Sequence, residues 1–233
     1  MNDYGYVEHN LRALKEEIGE LEDCYGRKIT LVAVTKSGSD EEVLALARAG
    51  ISDIGENRPS ELARRADLLD NAGYHPRLHE IGNLQRNKVK TLVGLADMIH
   101  SVGSLSLARE ISKRATDLGI TAPVLIEINS AKEEMKGGVM PEECEALFLA
   151  VRELPSLEVV GLMTMGPASQ NAEDMRPYFR LTKQIFDSIK EKYGFSGEGI
   201  LSMGMSNSYR VAVEEGSTLI RVGRKLFDKN EGR

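Results

Sequence analysis

From residue 30 onward, short β-branched runs alternate with capped amphipathic segments, and few folds accommodate that rhythm. The strand-like runs fall at 30–36, 52–55, 78–81, 98–102, 123–129, 159–164, 200–203 and 218–222, eight in all. Helical signals sit between them. Ser39 and Glu42 form a capping box for a helix ending at Gly50. Ser104 can cap 105–118, which Gly119 stops. Pro141 suits the first turn of 141–154, with Cys144, Leu147, Phe148 and Val151 on one face. Tyr178, Leu181, Ile185 and Ile189 make a similar face before Gly194. Ahead of these units, Leu11, Leu14, Ile18 and Leu21 recur at helical spacing within 3–23.

Alternating strands and helices imply parallel pairing through right-handed crossovers. Eight units of roughly 25–30 residues fit a (β/α)8 barrel; an open doubly wound sheet is the rival arrangement. The expectation is a single α/β domain over 1–233. Its barrel would occupy about 30–228, with the extra N-terminal helix packed outside it or across its bottom. Hydrophobic residues make up 41% of the chain, only 5% is aromatic and Trp is absent, so the core should be aliphatic.

Net charge of -6 argues against a bulk electrostatic grip on nucleic acid or an anionic membrane. Cys24 and Cys144 form no CxxC pair, which points to reduced thiols in the cytoplasm rather than a disulfide framework or zinc site. The N-terminus lacks a signal-peptide profile and no apolar run reaches a membrane-spanning length.

In a barrel, chemistry gathers where the strands end. Val32, Val34 and Lys36 share parity, so inward valines would bring the lysine inward too. A strand-terminal lysine either reaches solvent or offers a desolvated amine that can form an imine with a carbonyl compound. Near the end of the chain, Ser206 is placed to cap a helix running to Glu215, and Gly223 would let backbone N–H groups approach a ligand. Barrels often bind phosphate in the loops after strands seven and eight. Together with Lys36, these residues describe a phosphorylated aldehyde held at both ends.

Other positions read more plainly. His75 and His79 flank Pro76, which spoils a helical metal pair, and no metal is expected. Asn57 could stand at the rim or start a helix, and Gln85 and Lys88 could face the site or solvent. Glu133 and Glu134 look like a solvated loop, and Met163 and Met165 like barrel packing.

The ordered set VAVTK, GENR, HEIGNLQRNKVK, HSVGSLSLA, GLMTMG, LSMGMS and IRVG resembles the pyridoxal phosphate homeostasis proteins, the YggS family, and is similar to the barrel domain of alanine racemases. The resemblance implies pyridoxal 5'-phosphate held as a Schiff base on Lys36. It also implies phosphate contacts near Ser206 and Gly223, and Arg221 beside the pyridine nitrogen. Arg224 joins the expected phosphate site, Asn57 and His79 the pocket lining, and Met163 the packing near the ring. Three residues depart from the family pattern: Glu80 where an apolar or aromatic residue is usual, Arg224 where a small hydroxyl residue is common, and Asp228 where glycine is common. Arg224 could still substitute through its backbone N–H and its charge.

The implied function is pyridoxal phosphate homeostasis: a monomer that buffers the cofactor or delivers it to apo enzymes, without robust catalysis. One alternative is a racemase-like enzyme, but the sequence ends about ten residues after strand eight and offers no convincing second acid/base opposite Lys36. Tyr209 reads as packing. A cofactor-free Schiff-base aldolase is the other alternative; such enzymes typically place their lysine on a later strand.

Overall fold

β-Branched residues favour an extended backbone, and Thr30–Val34 forms the first strand, β1, of the computed structural model. Residues 4–133 and 136–230 are described. The further strands are β2 (Asp53–Glu56), β3 (Arg77–Glu80), β4 (Met98–Val102), β5 (Ala122–Ile128), β6 (Leu157–Thr164), β7 (Ile200–Ser202) and β8 (Leu219–Val222). Each pairs in parallel with the next. β8 returns to β1 with Thr30 opposite Leu219 and Ala33 opposite Val222. The sheet therefore closes into the expected eight-stranded barrel, and the open doubly wound sheet is ruled out.

Helices surround it: α1 (Gly5–Tyr25), α2 (Asp40–Arg48), α3 (Pro59–Asn71), α4 (Val89–Leu92), α5 (Leu105–Leu118), α6 (Cys144–Arg152), α7 (Arg176–Tyr193), α8 (Tyr209–Glu214) and α9 (Arg224–Phe227). The Ser39/Glu42 capping box opens α2, and Ser104 caps α5 by accepting from the Leu107 N–H. None of the described helices is long and apolar enough to cross a membrane.

Several expectations shift. β1 stops at Val34, leaving Lys36 in the following turn. The segment expected as one helix over 141–154 begins as a 3-10 turn, Pro141–Glu143, before α6. The buried face of α7 is Phe179, Thr182, Phe186 and Ile189, one position on from the expected stripe except at Ile189. Ser206 caps no helix: α8 starts three residues later and has only six residues. α1 packs outside the barrel against α2, α8 and α9, not across the bottom. Asp3, at the expected start of the N-terminal helix, and Glu134, in the expected solvated loop, lie outside the described residues.

The main core lies between the strands and the helices, with Phe148 and Phe179 its largest fully buried side chains. Burying such a side chain contributes about 1.5–3 kcal/mol. Inside the barrel a smaller apolar cluster of Leu125, Val160 and Met163 packs with Met98 and Ile200. Polar residues fill much of the remaining barrel interior.

Candidate functional site

Where the strands end, their loops enclose a cavity of about 1080 Å³. Val34, the last residue of β1, lines it, and Lys36 stands on the same wall two residues on. The loop carrying Lys36 is held from behind. Gly38 N–H donates to the Thr35 carbonyl (3.0 Å), and Arg65 Nη2 of α3 donates to the Gly38 carbonyl (2.5 Å). Thr35 Oγ1 donates to the buried Glu56 carboxylate (2.6 Å). Burial pushes the Glu56 carboxyl up, while Thr35 and Arg65 oppose that shift.

Lys36 is exposed at the cavity wall, so the expectation of an amine desolvated by burial is not met. Among the described residues its amine has neither a hydrogen-bond partner nor an ion pair. It is thus free to meet a ligand.

Across the cavity, the loops after β7 and β8 are joined by Ser206 Oγ, which accepts from the Gly223 N–H (3.2 Å). The Ser206 hydroxyl proton remains free to donate. Asn207 Oδ1 accepts from Arg224 Nη2 (3.2 Å) and steadies that guanidinium. A Cβ at residue 223 would sit 2.9 Å from the Val34 carbonyl oxygen, so glycine there lets the β8 loop lie against β1. Gly38 serves the same closure, because a Cβ there would meet the Phe227 ring of α9 at 2.7 Å. The lysine loop and the Arg224 loop are thereby packed together.

Arg221, on β8, reaches the cavity from the barrel interior and is buried. Its Nη2 donates to the Thr164 carbonyl (3.0 Å) and its Nη1 to Ser202 Oγ. Burial pulls this guanidinium down to about 10, with Glu127 opposing the shift. Burial likewise pushes Glu127 up to about 7 against the pull of Arg221.

Of the predicted site residues, Lys36, Asn57, Ser206, Arg221, Gly223 and Arg224 come together around this one cavity. His79 and Met163 do not line it. Both point into the barrel, as their parity suggests, but one layer too deep. Met163 belongs to the interior apolar cluster, and His79 bonds to other interior side chains. The next positions of the same parity, Met165 and Ile81, are the ones that reach the cavity.

Sequence reasoning passed over Arg58 and Asn207 and left Lys88 undecided; all three line the cavity. Arg58 and Asn207 sit in the loops that follow β2 and β7, and Lys88 ends a 3-10 turn in the connection after β3; a place in a connection leaving a strand's C-terminal end is the one signal that could have found them. With Lys36, Arg221 and Arg224, five cationic side chains face the cavity, and no carboxylate among the described residues does. In a chain of net charge -6 this is a local concentration of positive charge, an environment suited to an anion.

The model of the alanine racemase N-terminal domain matches residues 7–230. A pyridoxal phosphate homeostasis protein from Aquifex aeolicus is 40% identical over 93% of this chain and 92% of its own. One from Mus musculus is 32% identical over 86% and 77%. The structure of PipY from Synechococcus elongatus with PLP bound matches with a TM-score of 0.82 at 27% identity, over 95% of this chain and 100% of that one. An alanine racemase from Clostridium difficile shares the fold, with a TM-score of 0.75 at 18% identity; this chain spans 59% of its length. On the family model and the identity to these relatives, the chain belongs to the pyridoxal phosphate homeostasis protein family, built on the alanine racemase N-terminal domain.

Proposed function

We propose that this protein binds pyridoxal 5'-phosphate reversibly as a Schiff base on Lys36. In the cytoplasm it would buffer the cofactor or deliver it to apo enzymes that use it. The observation that carries the reading is a lysine amine with no partner among the described residues, on the wall of a cavity that those residues line with four other cations and no carboxylate.

The residues fit the cofactor's parts. Lys36 supplies the amine for an aldehyde carbon. Ser206 and Arg224, the latter steadied by Asn207, supply donors for a phosphate across the cavity. The backbone of Gly223 keeps that end close to β1. Arg221 presents a buried cation for the ring nitrogen and disfavours its protonation. When bound, the cofactor supplies an electrophilic aldehyde and an electron-withdrawing ring. An unprotonated ring nitrogen weakens that withdrawal, which suits holding more than turnover.

The lining also supports a holder over a two-base racemase. No tyrosine, histidine or carboxylate among the described residues faces the cavity. Tyr209 is turned away, its hydroxyl bonded to Glu17 of α1.

The test is an absorbance titration of the purified protein with pyridoxal phosphate. A band at about 420 nm that is absent from Lys36→Ala is the expected result. No band in the parent protein sinks the proposal, and amino-acid racemisation at an enzymatic rate would favour the racemase instead. Mixing the loaded protein with an apo enzyme that needs the cofactor then tests delivery.

A further inference from the structure

Beneath the cavity, a line of polar side chains crosses the barrel interior. Asp53, His79, His100, Ser202 and Arg221 come from β2, β3, β4, β7 and β8, and all five are buried. Asp53 Oδ1 lies 2.9 Å from His79 Nε2. His79 Nδ1 lies 3.0 Å from His100 Nε2, and His100 Nδ1 lies 3.2 Å from Ser202 Oγ. Ser202 Oγ accepts from Arg221 Nη1.

The two ends set the direction. A guanidinium only donates and an ionised carboxylate only accepts. Ser202 therefore accepts from Arg221 and passes its own proton to His100 Nδ1. His100 then donates through Nε2 to His79 Nδ1, and His79 donates through Nε2 to Asp53. Each ring nitrogen in the line then has one partner and Ser202 Oγ both accepts and donates, with each ring carrying a single proton on Nε2. A second proton on His79 would set two N–H groups against each other across 3.0 Å, and one on His100 would face Ser202 and take away the acceptor of its hydroxyl proton. Reversing the line instead would take away the acceptor of the Ser202 hydroxyl proton.

The surroundings favour the neutral arrangement. Full burial, with His79 and Arg221 adding to it, holds the His100 imidazole well below its usual range. Asp53, although burial pushes its carboxyl up, is held below the usual range by His79 and Arg77. Arg77 is mostly exposed at the start of β3, so the line runs from the cavity floor to the opposite end of the barrel. From β5, Glu127 faces Arg221, and from β6 the Thr164 carbonyl takes its Nη2.

We propose that His100, backed by His79, is a positioning residue for Arg221: the line fixes the guanidinium beneath the cavity and so sets the protonation of the bound cofactor's ring. This rests on reading the cavity as a pyridoxal phosphate site. The family pattern marked His79 as pocket lining; the structure gives it this different task.

Two measurements test the proposal separately from the cofactor reading. In cofactor-free protein, side-chain 15N NMR near neutral pH should show His79 and His100 each protonated on Nε2 alone, with His100 unchanged from about pH 5.5 to 8. An Nδ1–H tautomer of either ring, or titration of His100 in that range, overturns the proposal. In Ser202→Ala the link is cut while both histidines stay. Pyridoxal phosphate affinity should fall about tenfold, the effect of losing one buried hydrogen bond. The pH at which the bound chromophore changes should also move. Affinity and pH profile equal to the parent overturn the positioning role. If Ser202→Ala does not fold, the tautomers decide alone. A parent protein with no cofactor band refutes the cofactor reading, whereas a band together with the wrong tautomers refutes only the positioning role.

Discussion

Glu80 ends β3 opposite Glu56, and both carboxyls are buried. Glu80 Oε1 accepts from the Gly82 N–H (3.1 Å), and Oε2 has no partner among the described residues. Burial, with repulsion from Glu56 adding to it, pushes the Glu80 carboxyl up to about 8 from an ordinary 4.5. The folded form thus keeps a proton that the unfolded chain has lost. Stability from this group is present below about 4.5 and is lost as the pH rises through 8. Across that window the linkage slope is on the order of 1 kcal/mol per pH unit. Glu80→Gln keeps an acceptor for Gly82 and removes the slope. Urea unfolding should show the variant more stable than the parent at pH 8 and close to it at pH 4.5; parallel profiles would rule the account out. At this scale, parity predicted which residues face inward but not their layer. Alternation says which side of the sheet Met163 and His79 take, whereas their height depends on the stagger of the closed barrel, and one sequence does not display that stagger.

The loops after β7 and β8 are braced by a helix that contributes nothing to the cavity lining. Asn10 of α1 donates through Nδ2 to the carbonyls of Leu226 (3.3 Å) and Asp228 (2.8 Å). Glu17, two turns on, accepts from Lys225 Nζ (2.9 Å), Arg210 Nη2 (2.6 Å) and the Tyr209 hydroxyl. α1 therefore grips both short helices that follow the Ser206 and Gly223 loops. Burial raises the Glu17 carboxyl, but the three donors outweigh it and leave the group below the usual range. Its stabilisation is present above the unfolded value and lost as the pH falls through the folded one. Glu17→Ala should cost about 1–3 kcal/mol near neutral pH, measured by denaturant midpoint. The gap between variant and parent should close in acid, and a gap that stays constant to pH 3 would point to packing alone. α1 itself was legible from its apolar spacing, but its docking partners were not. They depend on Glu17, Tyr209 and Lys225, which are far apart in sequence and look like ordinary surface residues until the barrel closes. The short length of α8 was equally hidden, because Ser206 reads as a cap until its hydroxyl is seen bonded to Gly223.

Taken whole, the molecule carries the wrong net charge for its proposed ligand. At -6 it should repel a phosphorylated aldehyde, yet among the described residues the cavity gathers five cations and no carboxylate. Charges within the cavity act at short range through partly desolvated space, while the acidic outer surface is screened over about 10 Å at ordinary salt. Local arrangement should therefore dominate binding, and total charge should hardly matter. Two substitutions separate these contributions, since each changes the net charge by the same amount. Arg224→Glu places an anion at the phosphate end, beside Asn207. Arg109→Glu changes an exposed position on α5, away from the lining residues. Titration with pyridoxal phosphate at low salt should show Arg224→Glu weakened more than about tenfold, with Arg109→Glu within about twofold of the parent. Raising the salt should weaken the parent and narrow its difference from Arg224→Glu. Equal losses in the two variants would mean that the global field governs binding. No loss in Arg224→Glu would remove Arg224 from the phosphate site and leave Ser206 as the principal side-chain donor there.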